Sequence, residues 1–126
     1  MIDHTGLNVS NYKKSREFYT KALAPLGYTP IMEFSMTEGG ENDIGGFGVA
    51  PKPDFWVAQG KPQVPPLHVA FRAGTRAEVD AFYQAALAAG GRDNGPPGPR
   101  AEYHDRYYGA FVLDPDGHNI EAVCHD

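Results

Sequence analysis

Phe18-Tyr19-Thr20-Lys21-Ala22-Leu23-Ala24 recurs, with five of its seven residues unchanged, as Phe82-Tyr83-Gln84-Ala85-Ala86-Leu87-Ala88, sixty-four positions later. The same offset carries His4 onto His68, Gly27 onto Gly91, Gly45 onto Gly109, Phe47 onto Phe111 and Pro51 onto Pro115 without a gap. About twelve of the sixty-two aligned positions are identical, against roughly four expected from background residue usage. Residues 1–62 and 65–126 therefore read as two copies of one supersecondary unit. A unit of that length buries too little surface to be stable alone, so the two copies should share one core as a single domain or pair across a dimer.

Within each copy the residue pattern reads βαβββ. Ile2 to Val9 is a predicted strand, and Ser10-Asn11 offers an N-cap for a helix over Tyr12 to Leu26 that Gly27 closes. Tyr28 to Phe34, Ile44 to Ala50 and Asp54 to Gln59 follow as strands, with a polar turn at 37–43 and a break at Pro51-Lys52-Pro53. The second copy gives a strand at Leu67 to Ala73, a helix at Thr75 to Ala89, an ill-defined piece at 91–94, and strands at Tyr107 to Leu113 and His118 to Cys124. Gly95-Pro96-Pro97-Gly98-Pro99 is expected to be a surface loop. The fold class is thus α+β, with two tandem βαβββ modules whose sheets curve around a common cup.

Composition limits the function classes. A net charge of −5 with scattered Lys and Arg argues against a nucleic-acid groove. No apolar run approaches the length of a membrane span, the amino terminus lacks the features of a signal peptide, and Cys124 has no disulfide partner. A cytoplasmic protein that binds a small molecule is the expectation, as a homodimer because exposed sheet edges need a partner surface.

Strand parity points to a site. In Leu67-His68-Val69-Ala70-Phe71-Arg72 the odd positions are apolar, while His68, Ala70 and Arg72 share the other face. In the last strand Ile120, Ala122 and Cys124 alternate with Asn119, Glu121 and Val123, and His4 shares its face with Gly6 and Asn8. If the sheets curve toward one cavity, His4, His68 and Glu121 converge as a two-imidazole, one-carboxylate set for a divalent ion such as iron, manganese, nickel or zinc, with positions left open for substrate. The repeat register gives Glu121 the counterpart Val57, which cannot ligate.

Leu113-Asp114-Pro115-Asp116-Gly117-His118-Asn119-Ile120-Glu121, with His4 and His68 at their spacing, resembles the vicinal-oxygen-chelate superfamily of glyoxalase I, extradiol dioxygenases, fosfomycin-resistance transferases and bleomycin-resistance proteins. The resemblance implies paired βαβββ modules forming a cup, often completed by a second chain. It also implies His4, His68 and Glu121 as ligands, and bidentate metal binding of a substrate's adjacent oxygens. Glyoxalase I enzymes usually carry a Glu where Val57 stands, which counts against that isomerisation. Extradiol enzymes match the ligand trio but are about twice as long. Fosfomycin transferases tend to have Ser and Tyr where Gly109 and Phe111 stand, and bleomycin-binding relatives generally lack the ligands. A metal-dependent enzyme is the favoured class and a non-catalytic binding protein the alternative.

Other residues are candidates for the cavity wall. Phe47, Phe111 and Val57 are expected to line it, whereas Trp56 reads as core. Arg72 could hold an anionic group or end a strand in solvent. In Tyr103-His104-Asp105-Arg106-Tyr107-Tyr108, His104 and Tyr107 join Glu121 as candidates for proton transfer or substrate clamping, with plain surface as the other reading. His118 and His125 are not chosen as ligands.

Overall fold

In a computed structural model covering residues 1–126, the first module runs β1 (Thr5–Val9), α1 (Tyr12–Leu23), a 3₁₀ turn (Ala24–Leu26), β2 (Thr29–Phe34), β3 (Ile44–Val49) and β4 (Lys52–Gln59). The second runs β5 (His68–Arg72), α2 (Arg76–Ala88), β6 (Arg92–Pro99), β7 (Tyr108–Leu113) and β8 (Asn119–Cys124). Each forms a four-stranded mixed sheet, in the orders β1-β4-β3-β2 and β5-β8-β7-β6. The βαβββ reading of both copies agrees with this order. No helix is long and apolar enough to cross a membrane.

Local chemistry explains the element ends. Asn11 caps α1 by accepting from the Lys14 amide at 3.1 Å. The helix tightens into the 3₁₀ turn at Pro25, which has no N–H for the carbonyl four residues back. Gly27 then ends it in the left-handed conformation at φ 84°. Thr75 and Glu78 cap α2 reciprocally. β1 starts at Thr5, three residues later than its apolar pattern implies, because the parallel partner upstream of Phe55 runs into Pro53, which cannot donate to the ladder. Ile2, Asp3 and His4 are consequently outside the strand and exposed.

The Gly-Pro segment 95–99 is not a loop. It forms most of β6, which pairs only with β7 and shifts register around Gly95. Proline is tolerated there because an edge strand needs partners on one side only.

A single core joins the modules. Phe55 of β4 meets Phe71 of β5 edge-on at 5.1 Å, and Tyr28 meets Phe71 at 5.5 Å. The helix-bearing faces of both sheets therefore share one apolar interior, while the faces carrying His4 and His68 look away from it.

The turn before β8 clasps the modules together. Asp114 is buried, and its Oδ1 accepts from the Asp116 and His118 amides while its Oδ2 accepts from the Tyr19 hydroxyl at 2.6 Å. Asp116 accepts from both the hydroxyl and the amide of Ser10. His118 is fully buried; its Nδ1 accepts from the Leu67 amide at 2.9 Å and its Nε2–H donates to the Asn8 carbonyl at 3.0 Å. The Asp-Pro-Asp-Gly-His segment is thus a structural joint, and His118 is committed at both nitrogens.

The repeat register slips by one residue in the later strands. Gly6 pairs with Trp56 in the first module, and its counterpart Ala70 pairs with Glu121 in the second. The structural equivalent of Glu121 is therefore Trp56, sixty-five residues away, and not Val57. Because side chains alternate, one residue of slip exchanges the faces. Phe47 and Val57, expected in the cavity wall, are both fully buried in the shared core, and Trp56, expected in the core, stands on the outward face.

Replacing Tyr19 with Phe should leave a buried Asp114 oxygen without its donor and cost about 1–3 kcal/mol in urea unfolding. Tyr83→Phe, at the repeat-equivalent but only half-buried position, should cost about 0.5 kcal/mol or less. Equal losses would contradict the assigned role of the joint.

Candidate functional site

Glu121 lies on the outward face of β8 beside Ala70 of β5 and Phe111 of β7, yet it is only 1 % exposed. Its Oε1 is 2.8 Å from Nε2 of His68, and its Oε2 accepts from the Tyr107 hydroxyl. Gly109 makes room for this contact: a Cβ there would sit 3.1 Å from the Tyr107 ring and 3.4 Å from Glu121 Oε2. Burial, and then the hydrogen bond to Glu121, push the Tyr107 phenol well above its ordinary pKa. At neutral pH it is a fixed donor that orients the carboxylate toward His68.

His68 is half-exposed, with its ring 6.2 Å from that of Phe111. Arg72 is exposed on the same face of β5 and borders a hollow of about 350 Å³ with His68, Tyr28 and Asp54. His104 packs edge-on against Tyr107 at 5.5 Å but does not reach Glu121. Its Nδ1 accepts from the Arg106 amide, and its Nε2 is 2.6 Å from Nδ1 of His125.

His4 does not join the pair within one chain, where no three His, Cys, Asp or Glu side chains converge as a ligand set. It borders a separate hollow of about 590 Å³, lined by residues of the first module only, among them Met32, Phe34, Ile44 and Trp56. The geometric expectation of a single converged trio therefore fails for the isolated chain. Ile2, Asp3 and Thr5, on either side of His4, line the same hollow as His68 and Arg72, whereas His4 itself opens onto the hollow of the first module. His4 is nevertheless oriented: its Nδ1 is 2.8 Å from Asp3 Oδ1, and Lys52 Nζ is 3.1 Å from the same oxygen. These two contacts hold the Asp3 carboxyl below its usual pKa. His4 Nε2 is left without a protein partner, the arrangement in which a carboxylate fixes a ligating imidazole.

A model of the Glyoxalase/Bleomycin resistance protein/Dioxygenase superfamily matches residues 1–122. The chain belongs to this superfamily. A glyoxalase/bleomycin resistance protein from Albidiferax ferrireducens is 25% identical over 98% of each chain, with a TM-score of 0.78. A family enzyme from Burkholderia phytofirmans is 14% identical over 99% of this chain and 98% of its own, with a TM-score of 0.72. TioX from a Micromonospora species is also 14% identical, over 100% and 99%, with a TM-score of 0.73. At 14% identity the likeness is one of fold. No curated protein sequence matches the chain.

Among the site residues expected from sequence, the structure joins His68, Glu121 and Tyr107, with Phe111 beside them. It sets His4 apart and withdraws Phe47 and Val57 into the core. The outward position of Trp56 was hidden because reading β4 correctly requires the one-residue slip, and with it went the hollow that Trp56 shares with Met32 and Phe34 of β2. Asp3, next to His4 in the chain, was the one signal available for the His4 pairing.

Tyr107 also sets an alkaline limit. An unfolded tyrosine loses its proton near pH 10, whereas folded Tyr107 retains it, so unfolding releases a proton above that pH and stability falls as pH rises. Denaturation followed from pH 8 to 11 should give a steeper loss for the native protein than for Tyr107→Phe. Parallel curves would remove Tyr107 from this linkage.

Proposed function

We propose that this superfamily member is a metal-dependent enzyme acting on a small oxygenated metabolite. In this reading His68 and Glu121 of one copy and His4 of a second copy, related by a twofold axis, hold one divalent ion of the iron, manganese, nickel or zinc type. The observation that carries it is the state of Glu121: a carboxylate buried under an outward sheet face, with an imidazole against one oxygen and no Lys or Arg paired to it. Buried carboxylates are normally neutralised by a cation, and a metal is the candidate this donor set suits. The 2.8 Å between Nε2 and Oε1 is compatible with two neighbouring ligands on one ion with bonds of about 2.0–2.2 Å.

When bound, the ion would supply Lewis acidity toward adjacent substrate oxygens and stabilise an oxyanion. Tyr107 occupies Oε2 and so presents Oε1 toward His68. Glu121 is the group placed to hold a proton beside that site. His104 acts only through its packing on Tyr107, and Arg72, which lines the same hollow as His68 and has no carboxylate partner, is the cation for an anionic substrate group. Neither nucleic acid nor membrane enters this reading, and the reaction is assigned to the cytoplasm.

Two copies facing one another would bring the His4 face of one against the His68 face of the other and complete a ligand set that does not converge within one chain. Co-expression of His4→Ala and His68→Ala chains tests this directly. Each heterodimer then keeps one intact site, so random pairing should restore about a quarter of the wild-type metal content. Each variant alone should load at least tenfold less metal than wild type in elemental analysis after purification without chelator. No restoration in the mixture would refute the shared site; full loading of His68→Ala would refute the ligand assignment. A protein that loads no metal at all yet retains small-molecule binding would instead be the binding or sequestering alternative, which the apolar hollow at Trp56 favours.

A further inference from the structure

Two imidazoles meet at the end of the second sheet, outside the Glu121 site. Tyr108, the first residue of β7, pairs with Cys124, the last of β8, so Tyr107 and His125 are neighbours just beyond the ladder. His104 reaches the same place because the loop before β7 folds back on itself: the Tyr107 amide donates to the His104 carbonyl at 3.2 Å, and the Tyr103 amide to the Arg100 carbonyl at 2.9 Å. Both imidazoles meet the Tyr107 ring edge-to-face at 5.5 Å, with interplanar angles of 75° for His104 and 86° for His125. Glu121 holds the hydroxyl of that ring, which makes it a fixed backing for the pair.

His104 Nε2 and His125 Nδ1 are 2.6 Å apart, and the two ring planes differ by 22°. With nitrogens that close, a centroid separation of 4.8 Å puts both nitrogens on the line between the rings, each directed at the other. The Arg106 amide donates to His104 Nδ1 at 3.1 Å, so the neutral imidazole carries its proton on Nε2 and gives it to His125. One proton thus fills a gap faced by two imidazole nitrogens. His104 is exposed and His125 partly so, and neither ring is bonded to an Asp or Glu side chain. A neutral hydrogen bond in so wet a place contributes little to stability, and ions in solution can reach the gap.

We propose that His104 and His125 form a second metal site, a two-imidazole chelate for a borderline transition-metal ion, copper(II) above all, with water in the remaining positions. The site is independent of the Glu121 reading and holds whether or not Glu121 binds an ion. Imidazole donors suit copper, nickel and zinc rather than magnesium or calcium, and copper(II) leads the affinity order of the divalent ions. On loading, the His104 proton moves from Nε2 to Nδ1, which frees Nε2 as a donor, and the exposed Arg106 amide turns to water. Two nitrogens on one ion with bonds of about 2.0–2.1 Å stand about 3 Å apart, so the rings separate slightly. His125 lies outside the β8 ladder and can make that movement. No third His, Cys, Asp or Glu side chain completes the set, so the ion exchanges freely and is detected by titration rather than by retention through purification.

The test is a copper(II) titration of the full chain carrying His4→Ala and His68→Ala, which removes the imidazoles of the other site. One ion per chain is expected, with two nitrogen donors in the electron paramagnetic resonance spectrum. Copper should bind at least about tenfold tighter than nickel or zinc, and excess magnesium should not displace it. In this background His104→Ala, His125→Ala and the milder His125→Gln should each weaken copper by at least about tenfold, with circular dichroism unchanged because both rings lie at the surface. Tyr107→Phe keeps the backing ring and should stay within about threefold of the parent. Under zinc saturation the Arg106 amide and His104 ring-nitrogen resonances should shift together, as the change of tautomer requires. Unchanged copper affinity in the His104 or the His125 variants, a single nitrogen donor, displacement by magnesium, or an Arg106 amide unmoved by zinc would each overturn the proposal.

Discussion

The joint at Asp114 to His118 determines which surfaces this protein can use. It ties Tyr19, Ser10 and Asn8 of the first module to the turn entering β8 of the second, through hydrogen bonds that run from the exposed Ser10–Asp116 pair and the part-buried His118–Asn8 bond to the buried Tyr19–Asp114 bond. A hydrogen bond in that setting is costly to break because both partners lose their solvation and gain nothing in return. With the helix-bearing faces locked together, Phe55, Phe71 and Tyr19 can form one interior that neither module could fill alone. The other faces are left open, and everything chemical in the molecule lies on them.

Much of this architecture was legible in the residue pattern. The duplication pattern, both helices and the parity of β5 and β8 follow from local periodicity, which is set by backbone geometry and burial, whereas the meeting of His68 with Glu121 was conditional on how the strands assemble. What escaped was what depends on partners. Pro96, Pro97 and Pro99 mark a loop by their own chemistry, and only the free side of β6 makes a strand acceptable there. His4 lies on the expected side of its sheet, but whether that side meets the His68 side is decided by how the modules pack.

The slip in β3 and β4 is the more instructive failure. Phe47 and Phe111 are identical and align at the repeat offset, yet one is buried under α1 and the other faces His68. An alignment without gaps treats identity as equivalence. Sheets do not, because a single residue moves every following side chain to the opposite face. Hydrogen-bond register, read from Gly6 opposite Trp56 and Ala70 opposite Glu121, restores the true correspondence.

That correspondence makes the two open faces unlike. The second module carries a buried carboxylate held by a phenol and an imidazole, and the first carries an imidazole held by an exposed carboxylate beside two aromatic rings. An ion needs several donors, and neither face alone offers a full set. The slip of one strand position gives a chain with a polar face at His68 and Glu121 and an aromatic face at Trp56 and Phe34, the hollow of the first reaching Asp3 and Thr5 beside His4. In a twofold pair the polar half of each copy would meet the aromatic half of the other, so the arrangement that prevents a complete site within one chain would generate two complete sites between chains.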